Sequence, residues 1–169
     1  MENLVEMGLT RSIGVSNFNI QLLADLLTYA QIKPVCNQVQ LYPLCAQESL
    51  VKFCLSKNVI PVAYSPIGRV GASYGPMPSQ SLPENELILQ MAEKYGKNPV
   101  QILLNWGMAR GCIVIPKSSS IEHQKDCLQA ALFKMDMEDV HKITNTLDRY
   151  ELLYKHTSDM KFMVDNVFA

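Results

Sequence analysis

At 169 residues, 48% hydrophobic and 18% charged, the chain is long and apolar enough to bury one core, and that composition excludes intrinsic disorder, which goes with low hydrophobicity and high net charge. Fifteen Lys and Arg against sixteen Asp and Glu leave a formal net charge of -1, so no basic field points to nucleic acid. The apolar runs fall short of the ~18 residues that a membrane span requires, and Met1-Glu2-Asn3-Leu4 has neither the basic nor the apolar region of a signal peptide. The expectation is a soluble, cytoplasmic chain forming one domain over residues 1–169, with no membrane partner.

A strand-then-helix rhythm runs along the chain. Arg11–Asn17 (R-S-I-G-V-S-N) reads as the first strand and Ile20–Ala30 as the first helix, with Asn19 as its cap and Leu22, Leu23, Leu26 and Leu27 as an apolar stripe. After Pro34, Val35–Leu41 predicts a second strand, and Glu48–Lys57 a helix with Leu50, Val51, Cys54 and Leu55 on one side. Val59–Ser65 is a nearly continuous apolar strand of the kind buried on both faces. Pro66–Pro83, rich in Gly, Ser and Pro, has no periodicity and is too long for an ordinary connection, which suggests a functional loop.

Helices follow over Glu84–Tyr95, stopped by Gly96, and Pro99–Arg110, started by Asn98-Pro99. Cys112–Ile115 is the fourth strand and runs into Pro-Lys-Ser-Ser-Ser. Helices over about 121–131 and Met137–Leu147, the latter with Asp136 as N-cap, lead to a weakly patterned tail.

Five cysteines (Cys36, Cys45, Cys54, Cys112 and Cys127) form no C-x-x-C pair and match no zinc template. Their odd number points to reduced thiols in a reducing compartment. His123, His141 and His156 are too far apart in sequence to suggest a metal site.

Single helices between strands imply parallel pairing through right-handed crossovers. Two architectures satisfy this: a small doubly wound sheet, or half of an eight-unit α/β barrel. A nucleotide-binding sheet of the first kind needs G-x-G-x-x-G at the first strand–helix turn, and here that turn reads G-V-S-N-F-N. In either architecture ligands meet the C-terminal ends of the strands. Polar residues collect at those ends: Ser16-Asn17, Asn37-Gln38, Tyr64-Ser65 and Lys117-Ser118. The segment from Ile115 to Asp126 is the sharpest signal, because a strand exits into lysine and three serines and a helix then begins. Free backbone N–H groups, a positive helix end and hydroxyls make an anion cradle.

Four motifs now occur in one order: Arg11–Phe18 (R-S-I-G-V-S-N-F), Cys36–Pro43 (C-N-Q-V-Q-L-Y-P), Val62–Gly68 (V-A-Y-S-P-I-G) and Ile115–Ser118 (I-P-K-S). Together with Pro99–Trp106 (P-V-Q-I-L-L-N-W), they resemble the aldo-keto reductases over nearly the whole chain. The resemblance implies an α/β fold of the parallel (β/α)8 TIM-barrel type, of which this chain matches strands five to eight, a half barrel. It also implies NAD(P)H-dependent reduction of an aldehyde or ketone in the complete enzyme, with NADP as cofactor and NAD as the alternative.

Matched residue by residue, Ser16, Asn17 and Gln38 correspond to the groups that hydrogen-bond the nicotinamide carboxamide, and Tyr64 to the ring that stacks on the nicotinamide. Ser65 and the backbone at Ile67 correspond to pyrophosphate contacts, and Lys117, Ser118 and Ser119 to contacts with the adenosine ribose and its 2′-phosphate. His123 stands where NADP-preferring members commonly place an arginine, and an imidazole does not supply a guanidinium's permanent bidentate charge. Asp126 keeps an acidic residue near the adenine, whereas Cys127 replaces a common asparagine.

The family's catalytic Asp, Tyr, Lys and His belong to the first half of the barrel, which nothing here resembles. No catalytic residue is therefore expected in this chain, and Tyr29, Tyr42 and Tyr74 are not expected to stand in, because nothing nearby in sequence lowers a phenol pKa of about 10. A half barrel leaves two parallel strand edges and an interior sheet face unpaired, so self-association or pairing with full-length relatives is the alternative role. A carbonyl substrate is expected only where the missing half is supplied.

Overall fold

The structure, a computed structural model, describes residues 1–68 and 81–147. Most of the predicted Pro66–Pro83 loop, and the tail beyond Leu147, lie outside the described residues. A short helix α1 (Glu2–Glu6), which sequence periodicity did not single out, precedes the first strand. Then come β1 (Val15–Ser16), α2 (Ile20–Tyr29), β2 (Cys36–Gln40), α3 (Glu48–Ser56), β3 (Ile60–Tyr64), α4 (Glu86–Tyr95), α5 (Pro99–Ala109), β4 (Ile113–Ile115), α6 (Ile121–Gln129) and α7 (Met137–Leu147), with 3-10 turns at Leu82–Glu84 and Ala130–Leu132.

The strands form one four-stranded sheet in the order β1-β2-β3-β4, every pair parallel. Helices cross between β1 and β2 and between β2 and β3, as strand–helix alternation demands. Side chains alternate between the two faces of such a sheet. Val15, Val39, Ala63 and Val114 point to the helical layer, where they pack with Leu23, Ile102, Leu103, Trp106, Val140 and Ile143. The opposite face carries Ser16, Gln38, Val62 and Ile113 in one register row, and Gln40, Tyr64 and Ile115 in the next.

Element boundaries shift where backbone chemistry intervenes. The first strand is two residues long instead of seven. The carbonyl of Ile13 still accepts from Val35 N–H (2.9 Å), but Asn17 turns to φ 58 and ends the ladder. Gly14, inside the first motif, sits so close to β2 that a Cβ there would lie 2.5 Å from Cys36 Sγ. The predicted helix start at Glu84 also moves. Glu84 closes the 3-10 turn, and Asn85 caps α4 by accepting from Leu87 N–H.

The other caps match the sequence expectation: Asn19 accepts from Leu22 N–H, and Asn98 forms a reciprocal capping box with Gln101. Asp136 precedes α7 with its carbonyl accepting from Val140 N–H (3.1 Å) and its own N–H donating to Tyr95 Oη (2.9 Å). Among the described residues no helix is long and apolar enough to cross a membrane.

Candidate functional site

The C-terminal ends of β1, β2 and β3 place their polar side chains on one rim, because the strands are parallel and in register (Ser16 beside Gln38, Gln40 beside Tyr64). Ser16 Oγ donates to the Gln38 carbonyl (2.9 Å), and the Asn17 N–H donates to the same oxygen (2.9 Å). Tyr64 Oη donates to Asn17 Oδ1 (3.2 Å), bridging β3 to the end of β1 across the intervening strand. That bond occupies the carbonyl end of the Asn17 amide. The Gln38 side chain is half-buried on the same face, and no hydrogen bond engages its amide among the described residues.

Two non-glycine residues of this rim occupy left-handed backbone. Asn17 has φ 58 and Ser65 has φ 52. Asparagine tolerates that region through its short polar side chain, whereas serine does so at a cost. Ser65 is held by a tight turn in which its carbonyl accepts from Gly68 N–H (2.9 Å), with Pro66 and Ile67 between them. Left-handed residues of this kind concentrate at functional sites, where surrounding structure maintains them.

Next along the sheet, Tyr64 pairs with Ile115, so the segment after β4 leaves from the same rim. Lys117 is exposed, and no partner engages its ammonium among the described residues. Ser118 Oγ accepts from Ser120 N–H (3.1 Å), and Ser120 caps α6 by accepting from His123 N–H (3.5 Å). Ser119 is exposed between them. The loop thus presents an ammonium and hydroxyls beside a helix N-terminus, a donor set suited to an anion. His123 is exposed in the first turn of α6. Asp126 is placed differently from the others: its carboxylate accepts from Gln101 Nε2 (3.4 Å), which turns it toward α5.

The three tyrosines considered as stand-in acids are spread out. Tyr29 ends α2 and is 61% exposed, Tyr42 is buried with its hydroxyl accepting from Gln40 Nε2 (3.4 Å), and Tyr74 lies outside the described residues. The five cysteines are free thiols. Burial pushes the Cys112 thiol up to about 11 and that of Cys54 upward as well, which suits inert core positions. No group of three or more His, Cys, Asp or Glu among the described residues is arranged to hold a metal ion.

Residues 1–148 match the model of the Aldo/keto reductase family. This chain belongs to that family. Among curated relatives, an NADP-dependent D-sorbitol-6-phosphate dehydrogenase of Malus domestica is 39% identical over 150 residues, covering 89% of this chain and 48% of its own. Aldose reductase B of Dictyostelium discoideum is 40% identical over 145 residues, covering 86% of this chain and 44% of its own. Among solved structures, a Bombyx mori aldo-keto reductase in complex with NADP superposes with a TM-score of 0.82 at 34% identity, covering 95% of this chain and 52% of that one. The chain thus spans about half the length of the aldo/keto reductases it matches. Its parallel α/β fold, with four parallel strands, matches those of aldo/keto reductase (β/α)8 barrels.

Sequence reasoning grouped Asn37 with Gln38 on the ligand rim, and the structure instead turns it to the helical layer. It is fully buried, and its amide brackets the backbone of Phe18. The motif pattern shows an amide at a strand end, but only the β1–β2 register reveals which backbone it meets.

Proposed function

We propose that this chain is the dinucleotide-binding half of an NAD(P)H-dependent aldo/keto reductase, corresponding to strands five to eight of the barrel. The observation that carries this reading is the convergence of Ser16, Asn17, Gln38, Tyr64 and Ser65 on one rim of adjacent strands, tied together by the Tyr64–Asn17 hydrogen bond. Its support from relatives is their NADP- and NAD(P)H-dependence and the NADP in the silkworm structure.

In this reading the Asn17 and Gln38 amides and the Ser16 hydroxyl bind the nicotinamide carboxamide, matching amide to amide. The Tyr64 ring covers one nicotinamide face and leaves the other for substrate. Ser65 and the Ile67 backbone hold the pyrophosphate. Lys117, Ser118 and Ser119 hold the adenosine ribose and its 2′-phosphate, and His123 and Asp126 border the adenine end. The cofactor supplies or accepts a hydride, and these residues orient it. Reduction of a carbonyl also needs an acid within hydrogen-bond reach of the forming alkoxide. That acid comes from the other half of the barrel, so the chain alone reduces no carbonyl.

Fluorescence of NADPH mixed with the chain tests both parts. A saturable change in nicotinamide emission, with no consumption of NADPH when simple aldehydes are added, is expected. Unchanged emission would overturn the cofactor reading, and aldehyde-dependent NADPH oxidation that follows the chain through purification would overturn the division between halves.

A second reading is a pairing module that joins itself or a full-length relative. It is favoured by the uncovered sheet face, on which Ile60, Ile113 and Ile115 are 43%, 48% and 42% exposed, and by the unpaired edges of β1 and β4 among the described residues.

A further inference from the structure

Asn37 is the second residue of β2 and has no exposed surface; it lies on the face that points to the helical layer, while its neighbour Gln38 points to the opposite face. A buried amide must find partners inside the protein, because water cannot reach it. Asn37 Nδ2 donates to the Phe18 carbonyl (2.8 Å), and Asn37 Oδ1 accepts from Phe18 N–H (3.3 Å). One side chain thus satisfies both polar groups of a single backbone residue, as a neighbouring strand would.

The position matters. The β1 ladder ends at Ser16, beside Gln38, and Asn17 then turns into left-handed backbone at φ 58. Past that kink the sheet no longer holds the chain. The Asn37 amide catches it again one residue later, so Ser16 and Asn17 are pinned from both sides: by the Gln38 carbonyl before the kink, and by the Asn37 amide after it.

We propose that Asn37 is a positioning residue for the nicotinamide end of the site. It touches no cofactor and acts by fixing the backbone from which Ser16 and Asn17 reach the carboxamide. This rests on the cofactor reading above. Aspartate at this position keeps the shape and one acceptor but turns a second acceptor on the Phe18 carbonyl, and serine removes the amide.

The test compares Asn37→Ser and Asn37→Asp with Val39→Ala, which thins the same buried face of β2 without touching the turn. The first readout is native-state amide exchange in the full chain. Exchange of Phe18 N–H should accelerate about tenfold or more in the Asn37 variants, while Leu23, whose N–H donates to the Asn19 carbonyl (3.0 Å), stays protected. Val39→Ala should leave the Phe18-to-Leu23 ratio unchanged.

The second readout separates the two ends of the cofactor. NADP should bind about tenfold or more weakly to the Asn37 variants, while adenosine 2′,5′-bisphosphate, which lacks nicotinamide, binds as it does to the unsubstituted chain. Equal losses for both ligands, or the same pattern in Val39→Ala, would reduce Asn37 to a general core residue. Full NADP affinity with accelerated Phe18 exchange would overturn the positioning role alone. An unsubstituted chain that binds no NADP would overturn the cofactor reading and this role with it. Should serine unfold the chain, aspartate carries the comparison.

Discussion

Ser65 and Asn17 show what single residues contribute at the rim. Holding a non-glycine residue in left-handed backbone costs on the order of 1 kcal/mol, and Ser65 at φ 52 bears that cost while its carbonyl closes a turn on Gly68. Ser65→Gly should therefore melt at the same temperature or a few degrees higher, yet bind NADP more weakly for want of its hydroxyl. Calorimetric melting and cofactor titration on the same sample check this, and a lower melting temperature would show that the backbone there is unstrained. At the adenine end, His123 is exposed in the first turn of α6. Arginine there adds a permanent bidentate charge, and in an exposed position the gain lies at the low end for charge-assisted contacts, about tenfold in affinity. His123→Arg should raise NADP affinity by about that factor and leave NAD affinity unchanged, measured by parallel titrations.

The placement of Ser16, Gln38 and Tyr64 on one sheet face was legible in the sequence, because strand-end motifs fix which side chains share a face; their roles toward a cofactor are proposals. The placement of Asn37 was not, because its role is set by the backbone it meets across β1–β2. Asp126, expected beside the adenine, lies within α6, and its contact with Gln101 depends on how α5 packs beside that helix.

Among the elements, two helices read well from their caps, since Asn19 and Asn98 each accept a backbone N–H of the first turn as expected. Asn85 and Ser120, which cap α4 and α6 in the same way, were not singled out, and the α4 start was placed at Glu84. The first strand read poorly, because its seven-residue pattern includes the Asn17 kink that ends the ladder. The docking of α7 was invisible in the sequence as well, since it depends on residues 38 to 45 positions apart. Asp139 is buried on α7, accepts from Lys94 Nζ (2.6 Å) and also accepts the hydroxyl of Tyr95. Further along, Trp106 Nε1 donates to Thr144 Oγ1 (3.0 Å), joining α5 to α7.

The Lys94 hydrogen bond, followed by that of Tyr95, holds the Asp139 carboxyl below the usual carboxylate range. A depressed carboxylate contributes stability above its unfolded pKa of about 3.9, and that contribution is lost as pH falls through its folded value. Asp139→Asn should therefore be less stable than the unsubstituted chain at pH 7, and the difference should shrink below about pH 4. Urea midpoints at pH 7 and pH 3 check the sign. A difference that grows toward acid would place the stabilisation elsewhere.

At the scale of the whole molecule, the described helices pack on one face of the sheet, and among the described residues the isoleucines of the other face stay part-exposed. Ile60, Ile113 and Ile115 on that face, 43%, 48% and 42% exposed, would each gain about 1 kcal/mol on full burial, roughly half of what a wholly exposed side chain gains. That gradient, with the β1 and β4 edges unpaired among the described residues, favours the pairing-module reading proposed above. Concentration-dependent association in sedimentation equilibrium is expected. Ile113→Lys, at a position already 48% exposed, should shift the chain toward monomer without loss of helical signal. A monodisperse monomer at high concentration would contradict it.

The parallel order of the four strands was legible from strand–helix alternation alone, and the barrel from the four motifs.

The most direct measurement is a calorimetric titration of NADP into the 169-residue chain beside its Tyr64→Ala and Lys117→Ala variants. Saturable binding of one NADP per chain is expected. Tyr64→Ala should weaken it by about tenfold or more through loss of the stacked ring, and Lys117→Ala should weaken NADP more than NAD. No saturable heat with the unsubstituted chain, or equal binding by all three proteins, would contradict a dinucleotide site on these strand ends.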